Sequence, residues 1–524
     1  MNRAAGGRLN SKHAARLVAF LVVLGLCGAI PFLPRFALLN SFQDDAFYYL
    51  QIARNVAAGQ GFTFDGLHRT NGFHPLWLFT LIPLTTLPGE MLTLRLAALL
   101  QVALVALACA ELVSVLRPRV GGWPAVVAAL SLLVLPGSQL VLFNGMETAL
   151  LFWLLIRVWR CWSQLTERED APPKAWLMLG LWCSLAFLSR LEAGFVTPLI
   201  VLLSFPYWRR RRAILLAVVA IPISVALAYF AWSYITFEIW VPISGIVKSL
   251  WGLDPGFGTP PSFGRRLLVS YLPLSQVIAA TRLFASRPQW AFLVYCVGLV
   301  VLAVFALRFR KQLWRQIVAA GIGVPLAICA CLWLVETVSL PFNAPWYPIA
   351  PFVSTALVIG ALTATSPRVA RILAVGLILL GVRRTYIHTR ENLQLKDSFM
   401  VRSVEAAEWA RSSIPLNDRI GSWNAGVFAY FSHRHVINLD GLVNDIDYYR
   451  RVLVGRQFAQ YVADEKIAWL ADAVFMQESL KQPRFGVLPY EVIVSVQLAH
   501  EACEWKGGFC NGFAVWQVSS VAKP

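Results

Sequence analysis

Long apolar runs, separated by short polar segments, fill the first three quarters of the chain. Runs such as 17–33, 214–235 and 291–307 contain no charged residue. Backbone polar groups inside lipid must be paired within their own segment, so such runs are predicted to be helices. Measured against the ~20 residues that a helix needs to cross a bilayer, the chain has about eleven candidate spans. They are 17–34, 95–116, 123–142, 147–162, 175–190, 193–208, 213–235, 290–307, 316–338, 347–364 and 370–383.

One further apolar run, 75–87, is short and is interrupted by Pro83. If this run does not cross the membrane, the basic clusters between the spans all fall on the cytoplasmic side, as the positive-inside rule requires. We therefore predict a juxtamembrane or re-entrant helix here, with the amino terminus of the chain in the cytoplasm and the carboxyl terminus outside. The basic clusters are Arg117 with Arg119, 209–212, Arg308 with Arg310 and Lys311, and Arg368 with Arg371.

The tail after residue 384 changes to mixed polarity. Helical periodicity favours helices at 403–411 and 449–462, and β-branched stretches favour strands at 436–439, 492–496 and 514–518. We predict a multi-span membrane domain over 1–384, with its first external loop at about 35–90, and an external α/β domain over 385–524. The predicted fold class is a polytopic α-helical membrane protein with an additional α/β domain.

Composition supports a membrane protein and removes one function class. Hydrophobic residues make up 58% of the 524 residues and charged residues 14%, against roughly 25% charged in a soluble chain. The net charge of +18 would suggest nucleic-acid binding in a soluble protein. Here the arginines cluster in short loops, so membrane lipids are the expected partner and nucleic acid is not. Cys503 and Cys510 are the only cysteine pair in the tail, and a disulfide between them stays open.

Unexpected polar residues collect on the predicted outer face. Ionisable residues at membrane depth are costly and are candidates for function. Their convergence on one side of the predicted helices indicates a single external cavity. The candidates are Asp44, Asp45, Asn71, His74, Glu147, Arg190, Glu192, Lys248, Trp346 and Tyr347.

Each candidate also has a purely structural interpretation. Asp44 and Asp45 open an amphipathic helix, where acids favour the amino terminus, or one of them is a general base for an incoming hydroxyl. Glu147 stands at a helix start, and Arg190 with Glu192 could form an interfacial ion pair. Lys248 could extend its amine to the membrane surface, and His74-Pro75 could simply begin a helix. The residues alone leave these alternatives open.

Three polar stretches resemble motifs of a known superfamily. The first runs from Asp44-Asp45-Ala-Phe-Tyr-Tyr-Leu through Gly61-Phe-Thr-Phe-Asp-Gly to Thr70-Asn-Gly-Phe-His-Pro-Leu-Trp. The second is Asn144-Gly-Met-Glu-Thr and the third is Leu188-Ser-Arg-Leu-Glu. They resemble bacterial GT-C glycosyltransferases of the protein mannosyltransferase-like, aminoarabinose transferase-like and arabinofuranosyltransferase-like groups. The tail from Ile420 to Gly441 is similar to the external domain of one bacterial subgroup.

The resemblance implies a role for several residues. Asp44 matches the catalytic base of the family and Asp45 its acidic neighbour, while His74 precedes a helix-starting proline and faces the donor. Arg190 and Lys248 are the candidates to hold the phosphate of a polyprenyl-phosphate sugar donor. Asn71, Glu147, Glu192, Trp346 and Tyr347 complete the expected substrate-binding set.

The implied reaction is an inverting sugar transfer to a hydroxyl of an envelope glycan, lipid or protein, on the outer face of a bacterial inner membrane. No cofactor is required by the residues themselves, and a divalent cation stays an open alternative because family members differ in metal use. The main competing function is a transporter or flippase for a polyprenyl-linked lipid or a solute. Transporters usually show internal repeats and polar residues on broken helices at mid-bilayer, whereas the polar residues here lie at span ends. Sugar and acceptor identity are not encoded in recognisable motifs.

Overall fold

The structure, a computed structural model, describes residues 16–135, 138–168, 171–253, 308, 310–339, 349–473, 494–502 and 512–521. A helix over 16–27, which we label α1, opens the described chain. The helices that follow in the first half are α2 (Arg35–Leu39), α3 (Asp44–Ala57), α4 (Pro75–Thr85), α5 (Glu90–Val120), α6 (Gly122–Val134), α7 (Ser138–Leu142), α8 (Thr148–Thr166), α9 (Pro173–Ser189), α10 (Val196–Leu203), α11 (Phe205–Trp208), α12 (Arg212–Phe237) and α13 (Ile243–Leu253).

The second half continues with helices and then adds strands. Its helices are α14 (Arg310–Ala319), α15 (Gly323–Ser339), α16 (Ala350–Thr363), α17 (Pro367–Gln394), α18 (Phe399–Ser413), α19 (Gly426–Ser432), α20 (Ile446–Tyr448) and α21 (Phe458–Asp464). Its strands are β1 (Arg419–Ser422), β2 (His435–Asn438), β3 (Ile467–Ala473), β4 (Val494–Ala502) and β5 (Phe513–Val521).

The apolar runs form helices, as their composition predicts. Within the described residues, α5 and α12 are each long and apolar enough to cross a membrane. Shorter apolar helices of 10–17 residues account for most of the other predicted spans, and the count of about eleven stays a prediction measured against the ~20-residue requirement. The predicted span 290–307 lies outside the described residues. The short run after His74 forms α4, with Pro75 in its first turn and Pro83 inside it.

The helices pack around one large apolar core, and a small second cluster lies between α6 and α17. Helix α5 packs against α6 and α8, α9 packs against α8 and α12, and both α16 and α17 pack against α6. Helix α12 presents large apolar side chains outward, including Leu216, Leu227 and Ile235. This outward face suits contact with lipid tails, because apolar side chains cost nothing there.

The C-terminal α/β region, which we define as residues 395–521, is built on a five-stranded sheet in the order β2-β1-β3-β5-β4. Strands β2, β1 and β3 are parallel, whereas β5 pairs antiparallel with both β3 and β4. The carboxyl ends of the parallel strands therefore meet at one edge, near Ser422, Asn438 and Ala473. Helix α19 follows β1 and packs against α3, so this edge faces the segment that the sequence predicts to be the first external loop.

Two tail predictions concern boundaries and pairing. The predicted boundary at 384 falls inside α17, which continues to Gln394; the chain leaves the helical part only at Leu395. Cys503 and Cys510 lie outside the described residues, so their pairing stays open.

Candidate functional site

The acidic pair occupies the first turn of α3, and its two carboxylates have different surroundings. Asp44 turns toward the C-terminal α/β region, where the amide N–H groups of Gly426 and Val427 donate to its oxygens at 3.1 and 2.9 Å. These amides open α19, whose first-turn N–H groups lack partners within the helix. Loss of surrounding water raises the pKa of Asp44 to about 7, although the two amide contacts oppose this effect. Asp44 thus acts as a cap for α19.

Asp45, in contrast, lines a cavity of about 380 Å³ between the helical part and the C-terminal α/β region. Asp44 is not among the residues that line it. The polar side chains of the wall include Asp45, His74, Arg190, Glu192, Lys248 and the neighbouring tyrosines Tyr48 and Tyr49. The apolar part of the wall consists mainly of Phe187, Phe195, Phe230 and Val335. The cavity therefore has the lining that a molecule with a charged head and an apolar tail requires.

Arg190 lies at the centre of a buried ionic cluster. Its Nε is 3.8 Å from Glu147 Oε1 and 3.6 Å from Glu192 Oε1, and its Nη1 is 3.5 Å from Glu336 Oε1. Arg190, Glu147 and Glu336 are all buried. Three carboxylates surround one guanidinium, so the charge of Arg190 is already balanced by the protein.

Glu147 is held by a tight turn and by a tyrosine. The turn contains Gly145, whose φ of 84° is favourable only for glycine. Gln101 fixes this turn from α5, because its side-chain oxygen accepts from the Gly145 N–H (3.1 Å) and its side-chain amide donates to the Met146 carbonyl (2.8 Å). The Tyr49 hydroxyl then donates to Glu147 Oε2 at 3.2 Å. The buried carboxylate is therefore placed by contacts from two helices, α5 and α3.

His74 stands at the amino end of α4, immediately before Pro75. Its Nε2 is 3.8 Å from Glu147 Oε1, and its backbone N–H donates to the Tyr49 hydroxyl at 3.3 Å. Burial lowers the pKa of His74, while the nearby carboxylates act in the opposite direction. His74 is thus a neutral ring at neutral pH, on the wall of the cavity and beside the ionic cluster.

Asn71 is used for structure and is not among the cavity-lining residues. Its amide nitrogen donates to Ser233 Oγ (2.9 Å) and to the Val241 carbonyl (3.1 Å), and its oxygen accepts from the Ile243 N–H (2.9 Å). These bonds tie the segment between α3 and α4 to α12, to α13 and to the segment between them. Asn71 therefore positions the helix that carries Lys248.

The structure brings together most of the residues that the sequence nominated. Asp45, His74, Arg190, Glu192 and Lys248 share one cavity wall, and Glu147 lies directly behind it. Trp346 and Tyr347 lie outside the described residues. Within the described part of the chain, no group of three or more His, Cys, Asp or Glu side chains is arranged to hold a metal ion.

Sequence reasoning missed several residues at this site. Tyr48 and Tyr49 follow the acidic pair, and their positions three to five residues along α3 from the two acids were the available signal. Asp440 lies in the stretch that resembles an external domain, without a predicted role. Its carboxylate accepts from the Tyr48 hydroxyl at 2.7 Å.

Two family models match separate parts of this chain. A family model for dolichyl-phosphate-mannose-protein mannosyltransferases matches residues 74–234. A second model, described as a domain of unknown function (DUF8728), matches residues 386–510. No curated protein sequence matches the chain significantly.

Solved structures match over nearly the whole chain. ArnT from Cupriavidus metallidurans bound to undecaprenyl phosphate has a TM-score of 0.58 at 13% identity, covering 99% of this chain and 100% of that chain. Its apo form has a TM-score of 0.55 at 13% identity, covering 98% of each chain. The oligosaccharyltransferase AglB from Archaeoglobus fulgidus has a TM-score of 0.51 at 12% identity, covering 94% of this chain and 73% of that chain.

At identities of 12–13%, these matches show a similarity of fold alone. The mannosyltransferase family model lies on the helices that carry His74, Glu147, Arg190 and Glu192. The structural correspondence extends from those helices through the C-terminal α/β region. The chain is therefore similar to the mannosyltransferase family over residues 74–234, and its fold is similar to those of ArnT and AglB.

Proposed function

We propose that this protein transfers a sugar from a polyprenyl-phosphate donor to an acceptor hydroxyl, with Asp45 as the general base. The observation that carries the proposal is the cavity, because it joins a carboxylate, cationic side chains and an aromatic apolar wall in one space. A polyprenyl-phosphate sugar has three matching parts in order, which are a sugar, an anionic phosphate and an apolar polyprenyl tail. The ArnT neighbour was solved with undecaprenyl phosphate and the AglB neighbour with a dolichol-phosphate, which supports this donor class.

The geometry favours Asp45 over Asp44 as the base. The family resemblance suggested the reverse assignment, with Asp44 as the base and Asp45 as its neighbour. Both oxygens of Asp44 accept amide N–H groups of α19, and Asp44 does not line the cavity. Asp45 does line it, so it is the carboxylate that a bound acceptor can reach.

Lys248 is the better candidate for the donor phosphate. Arg190 lies within 3.5–3.8 Å of three carboxylates, so a phosphate placed beside it would meet their negative charge. Lys248 lines the cavity from α13 and supplies a flexible ammonium that binds phosphate as a point charge. We assign Arg190 the task of holding Glu147 and Glu192 in place.

The reaction then follows from this arrangement. Asp45 accepts the proton of the acceptor hydroxyl, and the hydroxyl oxygen attacks the anomeric carbon of the sugar from the side opposite the phosphate. The bond between that carbon and the phosphate oxygen breaks, polyprenyl phosphate leaves, and the configuration at the anomeric carbon inverts. The phosphate is a good leaving group, so positioning and charge stabilisation supply most of the rate.

The same proposal includes the arrangement in the membrane. About eleven spans, judged against the ~20-residue criterion, form a membrane domain over 1–384, and residues 385–524 form an external α/β domain. The positive-inside distribution of arginines supports a cytoplasmic amino terminus, and the resemblance to bacterial GT-C glycosyltransferases supports a bacterial inner membrane. The acceptor is a glycan, a lipid or a protein, and the transferred sugar is a hexose or a pentose.

A transfer assay tests the assignment of the base. Purified protein in detergent would be given a panel of labelled polyprenyl-phosphate sugars with an envelope extract as acceptor. We expect Asp45→Asn to lose about 10²- to 10⁴-fold in rate, the usual contribution of a general base. Asp44→Asn should keep more activity than Asp45→Asn, and Asp447→Asn, at an exposed carboxylate of the C-terminal α/β region, should match the wild type. Full activity in Asp45→Asn, or no turnover of any polyprenyl-linked donor by the wild type, would refute the proposal.

A further inference from the structure

The carboxyl edge of the C-terminal sheet contacts the helix that carries the proposed base. Asp44 binds the first amides of α19, and the Tyr48 hydroxyl donates to Asp440 Oδ2 at 2.7 Å. Loops that follow the parallel strands of an α/β sheet are where such folds usually bind ligands. Here that edge is occupied by another part of the same chain, the first two turns of α3.

Two glycines allow this contact to be backbone against backbone. A Cβ on Gly426 would lie 2.2 Å from the Asp44 carbonyl oxygen, and a Cβ on Gly72 would lie 2.0 Å from the Leu442 carbonyl oxygen. Any side chain larger than hydrogen at either position would separate the two surfaces. The fit is therefore specific, and it places the C-terminal α/β region directly against the cavity.

Asp440 connects two residues of the cavity wall. Its Oδ1 accepts from the Leu442 N–H at 2.8 Å, and its Oδ2 accepts from Tyr48. Tyr48 and Leu442 both line the cavity, one from α3 and one from the C-terminal α/β region. The Asn438 side-chain amide donates to the Tyr48 oxygen at 3.4 Å, so the hydroxyl is held as both donor and acceptor.

Tyr48 is three residues after Asp45 on α3, so the two side chains share a face of the helix. A group that fixes Tyr48 therefore fixes the turn from which Asp45 reaches the cavity. The other end of this turn is held by the Gln43 N–H, which donates to the Asn144 carbonyl at 3.0 Å. The base is thus held from the helical part on one side and from the C-terminal α/β region on the other.

We propose that Asp440 is a positioning residue for the transfer reaction, acting through Tyr48 to hold Asp45 against the acceptor hydroxyl. This inference rests on the proposed function and assigns a task to the C-terminal α/β region, which becomes part of the active site. Small displacements of reacting groups are costly, since a shift of about 1 Å can lower a rate by about 10²-fold. The effect should therefore appear in kcat more than in the binding of the donor.

A double-mutant cycle tests the coupling. Asp440→Asn keeps the size of the side chain but leaves one oxygen to accept from two donors, and Tyr48→Phe removes only the hydroxyl. Each variant should lower kcat by about tenfold or more, the factor expected for a hydrogen bond to a charged group, with less than a threefold change in donor KM. Because both act through one contact, the double variant should be no slower than the slower single variant.

The controls separate this inference from the proposed function. Asp447→Asn removes an exposed carboxylate from the same region and should have wild-type kcat and a wild-type melting temperature. A wild type that turns over donor while Asp440→Asn and Tyr48→Phe have unchanged kcat would overturn only the positioning role. Multiplicative losses in the double variant would also overturn it, since the two residues would then act independently. Absence of transfer by the wild type itself would overturn the proposed function and this inference together.

Discussion

Burial, rather than distance, should decide which ion pairs stabilise this protein. Arg35 and Glu408 lie only 2.5 Å apart, but their side chains are 48% and 52% exposed. Arg190 lies 3.5–3.8 Å from its three carboxylates, and its side chain is 1% exposed. If distance decided the contribution to stability, the Arg35–Glu408 pair would contribute more than the Arg190 cluster. If burial decides it, the Arg190 cluster contributes more.

The magnitudes differ enough to be measured. Replacing Arg190 by leucine leaves buried carboxylates without their cation, and breaking a buried pair in this way typically costs about 3–5 kcal/mol. Replacing Arg35 by leucine removes an exposed pair, for which about 0–1 kcal/mol is usual. The expected difference is therefore at least ~2 kcal/mol in the free energy of unfolding.

Thermal unfolding in detergent, followed by intrinsic tryptophan fluorescence, would compare the two variants under identical conditions. Arg190→Leu should unfold at a clearly lower temperature than Arg35→Leu, which should be close to the wild type. Adding Glu336→Leu to Arg190→Leu should restore part of the loss, because one uncompensated carboxylate is then removed. Equal melting temperatures for the two single variants, or a lower one for Arg35→Leu, would refute the reasoning.

Three further predictions concern the turn, the phosphate and the contact with the C-terminal α/β region. Gly145→Ala would place a Cβ 2.3 Å from an aromatic carbon at a backbone φ of 84°, so the melting temperature and the transfer rate of this variant should both fall. In the control Gly122→Ala the added Cβ meets no atom within 4 Å, so both values should equal those of the wild type. Lys248→Gln should raise the donor KM by about tenfold or more, the effect of losing a charge-assisted hydrogen bond, while Lys248→Arg should keep most of the affinity for the donor. Equal donor KM values for Lys248→Gln and the wild type in a transfer assay would contradict this. Loss of surrounding water raises the pKa values of Asp44 and Asp440 to about 7. The folded protein therefore holds these two protons more tightly than the unfolded chain does, and this contribution to the free energy of unfolding is lost as pH rises from about 4 through 7. Hydrogen exchange of the amides that open α19, normalised to intrinsic rates, should therefore speed up over that range, and constant protection would contradict the sign.

Much of the fold could be predicted from the sequence, because the signals are local. Apolar runs become helices wherever lipid removes other partners for the backbone, so the helical part followed directly. Sorting the polar residues by their predicted side of the membrane also predicted one shared cavity, and the structure has four of these residues in one cavity wall: His74, Arg190, Glu192 and Lys248. Strands β1 and β3 were missed. Strand β1 contains only one β-branched residue, Ile420, and β3 does not alternate between buried and less buried positions, so neither shows the usual strand signals.

The division of labour between Asp44 and Asp45 could not be predicted. Adjacent residues on a helix point in directions about 100° apart, and which one meets the cavity depends on what covers the other. That cover is α19, whose contact with Asp44 spans 382 residues of sequence. Asn71 shows the same limit, since its partners Ser233 and Val241 are remote in the chain. Tertiary contacts of this length leave no local pattern.

The contact between α3 and α19 also sets an order of events during biosynthesis. Helix α3 leaves the ribosome before α19 does, because Gly426 is made nearly four hundred residues after Asp44. Domains fold in step with synthesis from the amino terminus, so the early helices can insert and pack while the wall beside Asp45 is still open. The nascent chain thus carries the proposed base long before α19 is made. On the proposed function, competence for transfer arrives only when α19 and the strands around it pack against α3.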